Sequence, residues 1–215
     1  MTTISAPHTT ALTTELRYLA LGDSYTIGEG VEDAGRWPMQ LAKALREAGI
    51  AIADPRIIAT TGWTTDELDA AITAAEPLGQ HDFVSLLIGV NNQYRGRDVE
   101  EYRTQFAALL WRAIGFAGNR PDRVLVLSIP DWGVTPFGAK SGRDAAQIAR
   151  ELDAYNLAAR EACTQRGVAF VDITPVSRAR GAEPGMVAAD GLHPSAAMYT
   201  EWTRLAFPVA HRLLA

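Results

Sequence analysis

The chain has a single cysteine, Cys163, so no disulfide can form within it. That thiol falls in a segment with amphipathic helical spacing, where it reads as a small core residue. Lysine is scarce as well. Lys43 and Lys140 are the only lysines among 20 basic residues, and the arginines are scattered with no basic block. With a net charge of −5, the chain lacks the electrostatic footprint of a protein that binds nucleic acid or an anionic membrane surface. No apolar run approaches the roughly 18 residues that mark a membrane-spanning helix. Residues 1–14 lack the basic start and apolar stretch of a secretory signal. They are expected to form a flexible leader ahead of one domain over 15–215, and a cytoplasmic location is the matching expectation. Beyond that leader there is no internal repeat, linker or low-complexity tract.

What is there is apolar material: 47% of the 215 residues are hydrophobic against 21% charged, enough for the core of one domain. It comes in short runs. Tyr18–Leu21, Arg56–Ala59, Phe83–Ile88, Arg123–Ile129 and Val168–Val171 read as strands; the first is short, lacks a helical period and reads as buried, and the third is near-continuously apolar, as a strand covered on both faces should be. Helical segments fall between them. Trp37–Ala48 has Pro38 in its first turn and Gly49 at its end. A capping box over Thr64–Glu67 opens a helix that runs to about Ala75. Asp98 can cap a long helix with Val99, Tyr102, Phe106, Leu109, Ala113 and Ala117 on one face. Asp144–Arg166 is another, stopped by Gly167. Residues 130–143 read as a long loop and 173–192 as irregular. A last helix from about Ser195 is expected to turn Met198, Trp202, Leu205 and Val209 inward and to kink at Pro208. The alternation of strands and helices predicts an α/β fold, a parallel sheet covered on both faces.

In such sheets ligands bind past the carboxyl ends of the strands. The first strand runs directly into Gly22-Asp23-Ser24 and sets a serine at that edge. As the N-cap of a following helix, the same serine would have no chemical role. A serine hydroxyl is a poor nucleophile until a base takes its proton, and the base needs an orienting group. Of the four histidines, His8 lies in the leader, His81 precedes a strand at the opposite edge, and His211 sits near the end of the last helix, where it complements the dipole. His193 is different. It lies in Ala189-Asp190-Gly191-Leu192-His193-Pro194, after the fifth strand and on the edge that carries Ser24. A tight turn at Gly191 would fold Asp190 onto the imidazole. The alternative is a turn-forming aspartate and a histidine at a helix start. Acyl transfer also needs donors for an oxyanion. Gly62 can present an unhindered amide, Asn91 a side-chain amide, and Ser24 its own backbone amide. A turn glycine and a loop asparagine are the plainer readings.

Taken together, Gly22-Asp23-Ser24, Gly62, Gly89-Val90-Asn91-Asn92 and Asp190-Gly191-Leu192-His193 resemble, in order and spacing, the four blocks of the SGNH hydrolases, also called the GDSL esterase/lipase superfamily. The resemblance spans nearly the whole chain. It implies a three-layer α/β/α sandwich with a five-stranded parallel sheet, flavodoxin-like in type. It implies Ser24 as nucleophile, His193 as base and then acid, and Asp190 as the carboxylate that orients it. The Ser24 amide, the Gly62 amide and the Asn91 side chain would form the oxyanion hole. No metal and no cofactor is implied. Asn92 departs from the aspartate common in the family.

Tyr25, Trp63, Tyr94 and Trp132 flank these blocks. They either line an aromatic acyl or sugar pocket or pack in the core. Arg95 and Arg97 follow the Asn91 block and face either an anionic group on the substrate or solvent. No broad exposed apolar helix points to action at a lipid interface. The expected substrate is therefore a small soluble carboxylic ester or thioester, hydrolysed through an acyl-enzyme. A carbohydrate O-deacetylase or an acyltransferase would share the mechanism. A non-catalytic flavodoxin-like binding module would need a phosphate cradle after the first strand, where Glu29, Glu32 and Asp33 repel phosphate.

Overall fold

A computed structural model describes residues 15–215. The expected leader, with His8, lies outside them. Five strands, β1 (Tyr18–Gly22), β2 (Arg56–Ala59), β3 (Phe83–Leu87), β4 (Val124–Leu127) and β5 (Ala169–Val171), form one sheet in the order β2-β1-β3-β4-β5. Every neighbouring pair is parallel. The three central strands are buried along their whole length, which is why their sequences are continuous apolar runs rather than alternating ones.

Nine helices connect and cover the described strands: α1 (Ser24–Ile27), α2 (Trp37–Glu47), α3 (Thr65–Ala75), α4 (Val90–Tyr94), α5 (Val99–Phe116), α6 (Pro136–Lys140), α7 (Ala145–Arg166), α8 (Thr174–Arg180) and α9 (Ala196–Leu214). Right-handed crossovers put α2 on one face of the sheet and α3, α5 and α7 on the other, because the chain steps one way from β1 and the opposite way afterwards. Accordingly α9 packs on α2, and α5 packs on both α3 and α7. The result is the expected three-layer α/β/α sandwich. No helix among the described residues is long and apolar enough to cross a membrane.

Three local expectations change. Residues 173–192 are not wholly irregular, since α8 starts there. Pro175 occupies its first turn, where a missing N–H does no harm. The loop 130–143 contains α6 and a 3-10 turn at Trp132–Val134. In α9 the buried face is Met198, Tyr199, Trp202, Ala206 and Ala210, whereas Leu205 is 42% exposed and Val209 only half-buried. The alanines at 206 and 210 face inward in place of the larger residues one position earlier. The helix continues through Pro208.

Candidate active site

The sheet order reverses between β1 and β3, so a crevice opens past their carboxyl ends. β1 ends at Gly22, where a Cβ would stand 2.5 Å from the Leu87 carbonyl oxygen, so the chain turns there only with glycine. Asp23 caps α1: its Oδ1 accepts from Tyr25 N at 3.0 Å. Ser24 is thus the first helical residue and not the cap. Its amide points out of the helix start and has no acceptor among the described residues.

The loop after β2 carries Gly62, held at φ +88°, a left-handed conformation that disfavours any side chain. Its amide also lacks an acceptor among the described residues. Asn91 lies in α4, not in a loop, and its Nδ2 donates to the Trp63 carbonyl at 2.9 Å. One turn on, Arg95 Nη2 donates to the Gly62 carbonyl at 2.7 Å. α4 therefore grips the glycine loop at two successive carbonyls. One N–H of the Asn91 amide is used in this grip, and the other remains for a ligand.

His193 comes from the loop before α9. Ala188 N donates to His193 O at 2.7 Å, Phe137 N donates to Gly191 O at 3.0 Å, and Val187 bridges Pro194, which together tie the loop down. Gly191 makes the tight turn at φ +70°. Asp190 Oδ1 accepts from the amides of Leu192 (2.8 Å) and His193 (3.0 Å), while its Oδ2 lies 2.6 Å from His193 Nδ1. Burial works against ionisation of Asp190, but the His193 ring and the two amides together outweigh it and hold the carboxyl below its ordinary range. An ionised carboxylate only accepts, so the proton of this bond sits on Nδ1, and in the neutral ring that leaves the lone pair on Nε2. Asp23 behaves oppositely. Fully buried, with Oδ2 unpartnered, its carboxyl is pushed up to about 7 by burial, which its amide hydrogen bonds offset only in part.

Ser24, Gly62, Asn91 and His193 all line one cavity of about 200 Å³. Ser24 and His193 face it with no hydrogen bond formed between them. Of the aromatic residues singled out from sequence, Tyr25, Tyr94 and Trp132 line it too. Trp63 does not; its side chain packs against the core and its carbonyl anchors Asn91. Arg95 and Arg97 do not face the cavity either. Arg95 pairs with Glu67 at 3.3 Å and Arg97 with Asp66 at 2.5 Å, so neither is free for an anionic substrate. Among the described residues, no three His, Cys, Asp or Glu side chains gather as a metal ion would require.

Sequence reading missed Phe137 and Leu192, which complete the apolar wall. It also missed what holds Trp132. The indole N–H donates to Gln93 Oε1 at 2.8 Å, and Gln93 Nε2 reaches Glu151 at 2.6 Å. Arg143 stacks over both Tyr94 (5.8 Å) and Trp132 (5.3 Å). Leu192 lay inside a recognised block but carries no chemistry. The others are joined only by folding, and no spacing announces them.

An α/β/α sandwich with a serine at the switch point and a His–Asp pair across the cavity has the form of a hydrolase. The chain belongs to the GDSL-like lipase/acylhydrolase family, whose model matches residues 20–200. No curated protein matches it. Solved structures share its fold. A crystal structure of TesA superimposes with a TM-score of 0.70 at 22% identity, covering 92% of this chain and 99% of that one. A lipase/acylhydrolase from Enterococcus faecalis gives 0.68 at 19% identity, covering 93% and 98%. A variant of Axe2, an acetyl xylan esterase from Geobacillus stearothermophilus, gives 0.68 at 19% identity, covering 91% and 94%.

Proposed function

We propose that the protein is a serine esterase that hydrolyses small soluble carboxylic esters or thioesters through an acyl-enzyme. The observation that carries this reading is the convergence on one cavity of Ser24, the Asp190-held His193 and unsatisfied N–H donors. His193 Nε2 takes the Ser24 proton as the hydroxyl attacks the substrate carbonyl. Substrate binding is what brings the two groups within hydrogen-bond reach. The Ser24 and Gly62 amides and the free Asn91 N–H bind the developing oxyanion. The imidazolium, steadied by Asp190, returns its proton to the leaving alcohol or thiol. Water then enters and is deprotonated by His193 as it attacks the acyl carbonyl, and the imidazolium returns that proton to Ser24 Oγ as the acid leaves.

The test is a screen of acetyl, butyryl and octanoyl 4-nitrophenyl esters together with acetylated sugars and acyl thioesters. A fluorophosphonate label should map to Ser24. Ser24→Ala should lower kcat by a factor on the order of 10³ or more. Hydrolysis at the parent rate in Ser24→Ala would defeat the proposal. The acetylated sugars matter because a structural neighbour is an acetyl xylan esterase. Transfer to an added alcohol that outruns hydrolysis would instead favour an acyltransferase.

A further inference from the structure

Behind the candidate site lies a second, much smaller chamber of about 20 Å³, room for roughly one water. Its far wall includes Met186, Val187, Met198 and Trp202. Tyr25, Trp132 and Leu192 line both this chamber and the site cavity, so these three side chains are the partition between them.

The chamber offers little to a polar ligand, because the Asp131, Thr135 and Ser177 side chains around it are already engaged. Asp131 accepts from Gly133 N (2.9 Å) and Arg178 Nε (2.8 Å). Thr135 donates to the Trp132 carbonyl at 2.7 Å, and Ser177 donates to the Thr174 carbonyl at 2.8 Å. Of the fully buried side-chain polar atoms in its lining, only the indole N–H of Trp202 is left without a partner among the described residues. Two methionines in the lining can rearrange around a chain that enters, since the thioether side chain is unbranched and adaptable.

The three partition residues are not equally fixed. Trp132 is 2% exposed and is held by its bond to Gln93. Tyr25 is 3% exposed and packs edge-on against Trp202 and His193. Leu192 is only partly buried, and its hydrogen bond to Asp190 comes from the backbone. Its side chain alone can be cut back without removing a polar contact.

We propose that Leu192 sets the acyl-chain length the enzyme accepts, by closing an apolar chamber that would otherwise extend the acyl pocket. This rests on the esterase reading above. The substrate class it assigns is esters of short acyl chains, with the alkyl end directed at Leu192 and the chamber as a latent extension.

The experiment compares kcat/KM for octanoyl and acetyl 4-nitrophenyl esters in the parent, Leu192→Ala and Leu192→Val. In Leu192→Ala the octanoyl-to-acetyl ratio should rise about tenfold or more, the effect of adding a few buried methylenes. Leu192→Val, a smaller cut, should move it the same way and serves if Leu192→Ala does not fold. Adding Met186→Phe, which fills the chamber from its far side, should bring the ratio back toward the parent. Active variants with an unchanged ratio would overturn the partition and leave the esterase reading standing. A parent that turns over no ester, or hydrolysis that survives Ser24→Ala, would remove the esterase reading and this inference with it.

Discussion

Asn92 and Thr65 exchange two hydrogen bonds in the buried seam between α4 and α3: Thr65 N donates to Asn92 Oδ1 at 3.1 Å, and Asn92 Nδ2 donates to Thr65 Oγ1 at 2.7 Å. Both residues are fully buried, and the Thr65 hydroxyl passes its own proton to Gln105 Oε1. This seam joins the helix that carries Asn91 to the helix that follows the Gly62 loop. The amide at 92 is what makes the arrangement work, because it supplies both an acceptor and a donor without a buried charge. An aspartate there would have to take the threonine proton and strip it from Gln105. Asn92→Asp should therefore destabilise by about 1–3 kcal/mol, read as a lower urea midpoint with an unchanged slope. A more stable Asn92→Asp protein would contradict this account.

Asp190 is expected to act through the tautomer of His193. Asp190→Asn retains an acceptor for the Leu192 and His193 amides, so the turn should survive. It presents a neutral amide to Nδ1, which frees the ring to hold its proton on Nε2, the wrong nitrogen. Esterase kcat should fall by roughly 10³ to 10⁴ while the melting temperature shifts little. Because the parent carboxyl is held below its ordinary range, the stability it contributes is present at neutral pH and is lost only as pH falls through that depressed value. A variant with near-parent kcat would remove Asp190 from the proposed triad.

Asp23 gives the opposite pH dependence. Its carboxyl ordinarily titrates at 3.8, and burial pushes it up to about 7. Between those values the unfolded chain has lost the proton and the folded chain still holds it, so stability falls as pH rises across the window and levels off above about 7. Asp23→Asn keeps an oxygen to cap α1 and deletes the titration. Melting temperatures measured from about pH 4 to about pH 8 should fall less steeply with pH in the variant than in the parent. Parallel curves would show that Asp23 is not the group responsible.

Cys163 should be chemically silent in the native protein. It is fully buried on α7, and burial pushes its thiol up to about 12. An aromatic disulfide reagent should leave the folded protein unmodified and titrate one thiol once denaturant is added. Rapid reaction under native conditions would mean that α7 opens locally.

The central strands were legible because a strand covered on both faces reads as a short unbroken apolar run, and β3 is found at Phe83–Leu87, within the expected Phe83–Ile88. The helix starts at Asp98 and Asp144 were legible because each aspartate accepts from the amide two residues on, and the start at Thr64 because the Glu67 carboxylate three residues on accepts from the Thr64 amide. α8 was not, because Pro175 reads as a breaker unless it is known to sit in a first turn. The inward face of α9 was not either, since apolar spacing does not say which of two adjacent rows meets α2. In the site, Ser24, Gly62, Asn91 and His193 were legible from their blocks. For Trp63, Arg95 and Arg97 the sequence left two readings open, because what decides each is a partner many positions away.

By itself the sequence determined the strand and helix types, the edge of the sheet on which Ser24 and His193 must lie, and the Asp190–His193 turn. These rest on contacts within a few residues, or on the period of a burial pattern. Only the tertiary structure decided which aromatic rings face the cavity, that Arg95 clamps Gly62 rather than a substrate, and that Tyr25, Trp132 and Leu192 separate two chambers. Each of those outcomes is a contact between side chains from distant segments, and chain topology, not local propensity, brings them within reach.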